Sequence, residues 1–212
     1  MGFQRKPNMV KMVSNITGYE PRTQYIVDIV AGILEGEEGR KVLLLSGRRP
    51  HLKALYEGMN AHPKLCGVSK GYYVGGMKQR DLKVSQECQV ILGTYQMASE
   101  ALDIPALDTL VFASPYKDIE QSVGRILRVK ADQRLRMPLI VDIADTFSMF
   151  TRYWKKRSGY YAKEGYHVDI KARKTVDSQV YEETEGGDGG VGGVGGGVDG
   201  GVTERCQFKF YK

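Results

Sequence analysis

The sequence predicts an α/β fold, a parallel sheet covered by helices, and three observations carry that expectation. Short continuous apolar runs recur along the chain: "KVLLLS", "CQVILGT", "LDTLVFAS" and "PLIVDIA". Each has the length and character of a strand buried on both faces. Stretches with apolar residues at helical spacing lie between or after them, and such alternation argues for parallel strands joined by helices.

The elements follow in order. Residues 1–17 are basic and poor in pattern, and are expected to be a leader or the end of an inter-domain segment. "PRTQYIVDIVAGILEG" has helical spacing, with Pro21 suited to a first turn and Gly36 or Gly39 to the end. "KVLLLS" is the first strand, "PHLKALYEGMNA" a helix and "GYYVGG" a brief strand. The other three apolar runs are strands, and helices are expected at 95–101, 118–129 and roughly 146–163. One domain then covers 18–174. Residues 186–202, "GGDGGVGGVGGGVDGGV", lack side chains to bury, and glycine loses the most backbone entropy on ordering. Residues 175–205 are therefore read as a flexible acidic and Gly-rich linker, a disordered tail, and 206–212 as a short apolar end able to dock.

Composition sets outer bounds. A net charge of +6 permits an anionic partner without requiring one. Cys66, Cys88 and Cys206 have no paired spacing, which suits reduced thiols in an intracellular protein. His51, His62 and His167 are equally scattered, so no metal site is expected. No apolar run has signal-peptide character or membrane-spanning length, and no membrane partner is expected.

In parallel sheets ligands sit beyond the carboxyl ends of the strands. Small, hydroxylated and basic residues collect there: Ser46, Gly47 and Arg48, then Gly75, Gly76 and Lys78, then Thr94 ahead of "ASEALDIP". Backbone N–H groups and helix N-termini at such an edge grip phosphates. Plainer roles exist for some of them. Gly75-Gly76 also reads as a turn, and Thr94 as a helix N-cap. Asp103 before Ile104-Pro105 also reads as a turn former. "EQSVGRILRV" at 120–129 holds Arg125 and Arg128 three apart, one helix face, behind Gln121 and Gly124. Taken alone, it is equally an amphipathic helix with solvated arginines.

The ordered succession "VLLLSGRR", "YYVGGMK", "VILGTYQMASEALDIPALDTLVFASP", "EQSVGRILR" resembles the second RecA-like domain of superfamily 2 helicases, over roughly residues 13–170. It is similar especially to helicases of phages and large DNA viruses, which carry a stretch like "RYWKKRSGYYAKEGY" after the last motif. The resemblance implies that ATP sits between this domain and a first RecA-like domain, which holds the phosphates and Mg2+. Arg125 and Arg128 would stabilise transition-state charge as arginine fingers, and Gln121 would orient the phosphate or attacking water. Gly124 would allow close backbone approach. Glu100 and Asp103 would lie on the nucleotide side, although Ala101 stands where the family has glycine. Ser46, Gly47, Arg48, Gly75, Gly76, Lys78 and Thr94 would hold a nucleic-acid strand, DNA slightly favoured over RNA, through its phosphates. If viral, the protein is expected in the host cytoplasm or the virion.

Residues 152–174 hold eight Lys/Arg and five aromatics. Trp154 and Tyr161 are seven apart, the period of one helix face, which favours packing on the core, while the lysines remain available to nucleic acid. No G-x4-G-K-[ST] loop and no DExH or DExD occurs in the 212 residues. The chain is thus expected to be half of a motor: a fragment, a split-gene product with a separate partner, or a decayed helicase. A rival from another class is a non-catalytic nucleic-acid-binding or regulatory module that caps a separate ATPase. A stand-alone doubly wound nucleotide binder is disfavoured by the lack of a glycine-rich first turn.

Overall fold

A computed structural model describes residues 8–101, 104, 107–120, 123–124, 136–145, 149–174 and 204–211. Asp103, Gln121, Arg125, Arg128 and the 175–203 stretch read above as a linker lie outside the described residues.

Helices α1 (Met9–Thr17) and α2 (Glu20–Gly36) precede strand β1 (Val42–Ser46). There follow α3 (Arg49–Ala61), β2 (Lys70–Tyr73), α4 (Gln79–Glu87), β3 (Val90–Thr94), α5 (Tyr95–Ala101) and β4 (Thr109–Phe112). Strand β5 (Leu139–Asp145), α6 (Phe150–Lys163), β6 (His167–Lys174) and β7 (Glu204–Tyr211) complete the order. The sheet runs β2-β3-β1-β4-β5-β7-β6. Strands β1 to β5 are parallel, with Leu44 beside Leu92 and Val111. The expected parallel sheet is extended at the β5 edge by β7 and β6, which pair antiparallel. Among the described residues no helix is long and apolar enough to cross a membrane.

Two corrections concern the helices. Residues 9–17, expected to be patternless, form α1. The Asn8 side chain accepts the Lys11 N–H at 3.1 Å, an N-cap that satisfies one free donor of the first turn. Met9, Met12, Val13 and Ile16 recur at helical spacing, and Ile16 is buried. Helix α4 was missing from the expected order because its sequence, QRDLKVSQE, is polar and buries only Leu82 and Ser85. Its seat on β2 requires Gly71, where an added Cβ would lie 2.8 Å from the Ser85 backbone.

Alternation within the apolar runs divides the core between the two faces of the sheet. Leu43, Leu45, Ile91, Leu110, Phe112 and Ile140 face one cluster with Tyr95 and Tyr161. Val42, Leu44, Val90, Leu92, Val111 and Val141 face the other, which α2 and α3 cover through Ile26, Val30, Leu52 and Leu55. The core position read for Trp154 and Tyr161 holds: Tyr161 is fully buried and Trp154 packs against the same cluster.

Strand β5 also carries two buried aspartates, one facing each side. Arg22 of α2 donates Nε and Nη2 to Asp145 at 3.0 and 2.9 Å, and its Nη1 to the Ala113 carbonyl at 2.7 Å. Arg157 of α6 donates Nε and Nη2 to Asp142 at 2.6 and 2.8 Å, and its Nη1 to the Tyr116 carbonyl at 2.6 Å. Tyr161 adds its hydroxyl to Asp142 at 3.1 Å. Burial, then the Asp142 carboxylate, push the Tyr161 phenol well above its ordinary value, so it stays a donor at neutral pH. Arg157 thus belongs to the core, although the sequence places it in a basic run. Asp142→Ala leaves a buried guanidinium without its counter-charge and should cost about 3–5 kcal/mol, whereas Asp142→Leu with Arg157→Met should cost less than the single change. Urea unfolding of the full chain separates the two outcomes.

Candidate functional site

The carboxyl ends of β1, β2, β3 and β4 open on one edge, and the loops that leave them enclose a cleft of about 580 Å³. Gly47, Arg49, Gly75, Thr94 and Tyr116 are among its lining residues. Three of the residues read from sequence as strand-binding, Gly47, Gly75 and Thr94, therefore meet in one place.

Each loop is set by local chemistry. Gly47 is exposed and donates its N–H to Ser114 Oγ at 2.9 Å, which ties the end of β1 to the segment after β4. Met77 N–H bonds the Val74 carbonyl at 3.4 Å and closes a turn in which Gly76 has φ +85°. A turn of that shape favours glycine at this position. Lys78 follows, exposed at the N-cap of α4. Thr94 Oγ1 accepts the Met97 N–H at 3.5 Å, so the N-cap role left open by the sequence is present in the fold, and the half-buried side chain still lines the cleft.

Ser46 and Arg48 depart from expectation. Ser46 is fully buried; its Oγ accepts the Arg48 N–H at 3.2 Å and pairs with His51 Nδ1 at 3.0 Å. It shapes the loop from beneath and offers nothing to a strand. Arg48, at the N-cap of α3, turns toward α1 and donates Nη2 to the Val10 carbonyl at 3.2 Å. Its neighbour Arg49 enters the cleft instead and bonds the Gly75 carbonyl. The arginine that lines the cleft is therefore one residue further on than the sequence suggested, because adjacent residues at a helix start point in different directions.

Sequence reading missed the aromatic wall. Tyr95 is buried, with its hydroxyl donated to the Ser114 carbonyl at 2.6 Å, and burial raises its phenol pKa above the ordinary value. Its ring stacks on Tyr116 with centroids 3.9 Å apart and planes 4° apart. The only available signal was "SPY" directly after a buried strand. Beyond Tyr116, Glu120, Val123 and Gly124 are helical. Gly124 is exposed, and a Cβ added there would meet nothing within 4 Å, so no described neighbour in this chain requires glycine. Glu100 lies in α5.

These features define a RecA-like α/β domain with a cleft at its strand ends. No protein-family model matches the chain. It is 37% identical over 168 residues, 79% of its length and 31% of the relative's, to the Acanthamoeba polyphaga mimivirus protein named "Putative ATP-dependent RNA helicase L396". The African swine fever virus protein QP509L (Badajoz strain), with the same kind of name, is 28% identical over 95 residues, 44% of this chain and 18% of that protein. The chain thus spans about a third or less of the length of these relatives. Of solved structures, T4 UvsW matches with a TM-score of 0.55 at 17% identity, over 76% of this chain and 36% of that one. The C-terminal part of the Fun30 ATPase domain matches at 0.52 and 10% identity, over 64% of this chain and 44% of that one. The chain is thus similar in sequence to part of viral proteins named as helicases, and its fold is that of the RecA-like domains of helicase structures.

The buried Ser46–His51 pair should make the domain's stability fall in acid. Burial, then the positive charge of Arg22, lower the His51 pKa to about 3. The folded state therefore holds His51 neutral, and the associated stability is complete above the unfolded value near 6.5 and drains away as pH falls toward about 3. Between pH 6.5 and 5 the loss should be about 2 kcal/mol from this group. His51→Asn, whose amide oxygen can take the Ser46 hydroxyl proton, should remove that part of the pH slope in urea unfolding.

Proposed function

We propose that this chain is the second motor domain of an ATP-dependent helicase or translocase. It presents arginines to ATP held by a first RecA-like domain, in a separate chain or in sequence absent from this one. The observation that carries the proposal is the convergence of Gly47, Arg49, Gly75 and Thr94 on one cleft at the strand ends, directly beside the segment that leads into "QSVGRILR". Arg22 and Arg157 fix two carbonyls of that segment, and Glu120, Val123 and Gly124 already lie in a helix. On a continued helix Arg125 and Arg128 share a face. Their planar guanidiniums suit phosphate oxygens better than lysine does. Gln121 would orient the phosphate or water, and Asp103 and Glu100 would lie on the nucleotide side. Gly124, open to solvent, would meet the partner domain rather than its own chain.

The phosphate-gripping lysine and the Mg2+ ligands are assigned to the first domain, because no matching motif occurs in these residues. This chain contributes charge stabilisation and the strand surface. Gly47 N–H, although bonded within the fold, marks where backbone approaches a strand; Arg49, Lys78 and the loop at Gly75-Gly76 bind the phosphates. The names of the viral relatives favour RNA over the DNA expected from sequence likeness.

The purified 212-residue chain should show no ATP turnover with or without RNA. Combined with a matching first domain, Arg125→Lys or Arg128→Lys should lower turnover by ~10³ while strand affinity stays level. Arg49→Ala with Lys78→Ala should do the opposite, flattening the salt dependence of binding by roughly 0.7 log units per log salt for each phosphate left without its cation. Single-turnover hydrolysis and salt-titrated binding decide the matter. Arginine changes that weaken strand binding and spare hydrolysis would make "QSVGRILR" a basic binding helix, and a regulatory module would replace the motor.

A further inference from the structure

We infer that Tyr116 is a stacking platform: a nucleobase of the bound single strand enters the cleft at the ends of β1 to β4 and lies against its ring. This rests on the strand-binding reading above and adds base recognition by stacking to a surface otherwise built for phosphates.

The ring is held in advance. Phe112, Tyr95 and Tyr116 form a column, with Tyr95 stacked on Phe112 at 6.1 Å and 18° and on Tyr116 at 3.9 Å and 4°. Tyr95 is 3% exposed and locked through its hydroxyl to Ser114. Arg157 holds the Tyr116 carbonyl, so backbone and ring are both fixed before any ligand arrives. Tyr95 covers one face of the Tyr116 ring, while Tyr116 itself is half-buried and lines the cleft. The column thus runs from the core to the cleft and ends there on an aromatic group.

The volume, about 580 Å³, is within the range of small-ligand sites, roughly 300–1,000 Å³. The cleft wall combines an aromatic ring with Gly47, Thr94 and Arg49 around it. A phosphate gains nothing from a π face, whereas any base does, and aromatic stacking tolerates every sequence. That property suits a domain that moves along a strand without reading it. The competing role, in which Tyr116 only continues the packing of the core, predicts no dependence on the base.

The test uses the full chain and single-stranded RNA carrying 2-aminopurine. Binding should quench the fluorophore. Tyr116→Phe should bind like the parent, and Tyr116→Leu, which keeps an apolar side chain against Tyr95, roughly tenfold or more weakly. An abasic strand should bind the parent chain more weakly by a similar factor and Tyr116→Leu no more weakly than the intact strand does, a comparison that does not depend on how the variant folds. The salt slope should be the same in all of them. Equal binding of intact and abasic strands, with Arg49→Ala still weakening both, overturns the stacking role and leaves the strand surface standing. Displacement of the quenched base by free ATP overturns it too, since the cleft would then be a nucleotide pocket. No binding of any strand would instead remove the strand-binding reading itself.

Discussion

Two buried Arg–Asp pairs on β5 hold the cleft edge of this domain in place. Asp142 and Asp145 point to opposite faces of the sheet and each binds a guanidinium through two nitrogens. The third nitrogen of each arginine goes to a carbonyl of the segment after β4, at Ala113 and at Tyr116. A buried ion pair is a weak source of net stability, because desolvation consumes most of the attraction. Its value here is geometric. Charged hydrogen bonds in a low-dielectric interior tolerate little displacement, and these fix four consecutive residues from above and below.

The cleft inherits that rigidity. Ser114 accepts from Gly47 N–H and from the Tyr95 hydroxyl, so the ends of β1 and β3 are registered against the same clamped segment. Under the proposed function, a surface that holds a strand while another domain moves over it benefits from loops pinned to strands rather than to each other. The loop at Gly75-Gly76 is the exception, held across the cleft by Arg49.

The sheet was legible because a strand buried on both faces leaves an uninterrupted apolar run, and the motifs that follow such runs fall at the strand ends by topology alone. Gly47, Gly75 and Thr94 could be placed together for that reason. What was not legible depended on neighbours distant in sequence or on single-residue direction. Neither Arg22 nor Arg157 could be read as a core residue, because nothing near them in sequence announces that each is paired to an aspartate on β5. Arg48 and Arg49 are chemically identical, and only the start of α3 distinguishes the one that faces the cleft. Ser46 looked like a phosphate ligand because its burial under His51 is a tertiary fact. Helix α4 lacked the apolar stripe that periodicity needs.

The two ion pairs also differ in how far apart their partners lie along the chain. Asp142 and Arg157 are separated by 15 residues, Arg22 and Asp145 by 123. Closing the longer loop costs about 2 kcal/mol more in chain entropy. During synthesis α2 emerges long before Asp145 exists, so Arg22 must remain hydrated, and α2 cannot seat its first turn until β5 has been made. The unit of β5 and α6 can assemble locally. One clamp thus closes over a short span of chain, while the other ties the first turn of α2 to a strand made 123 residues later.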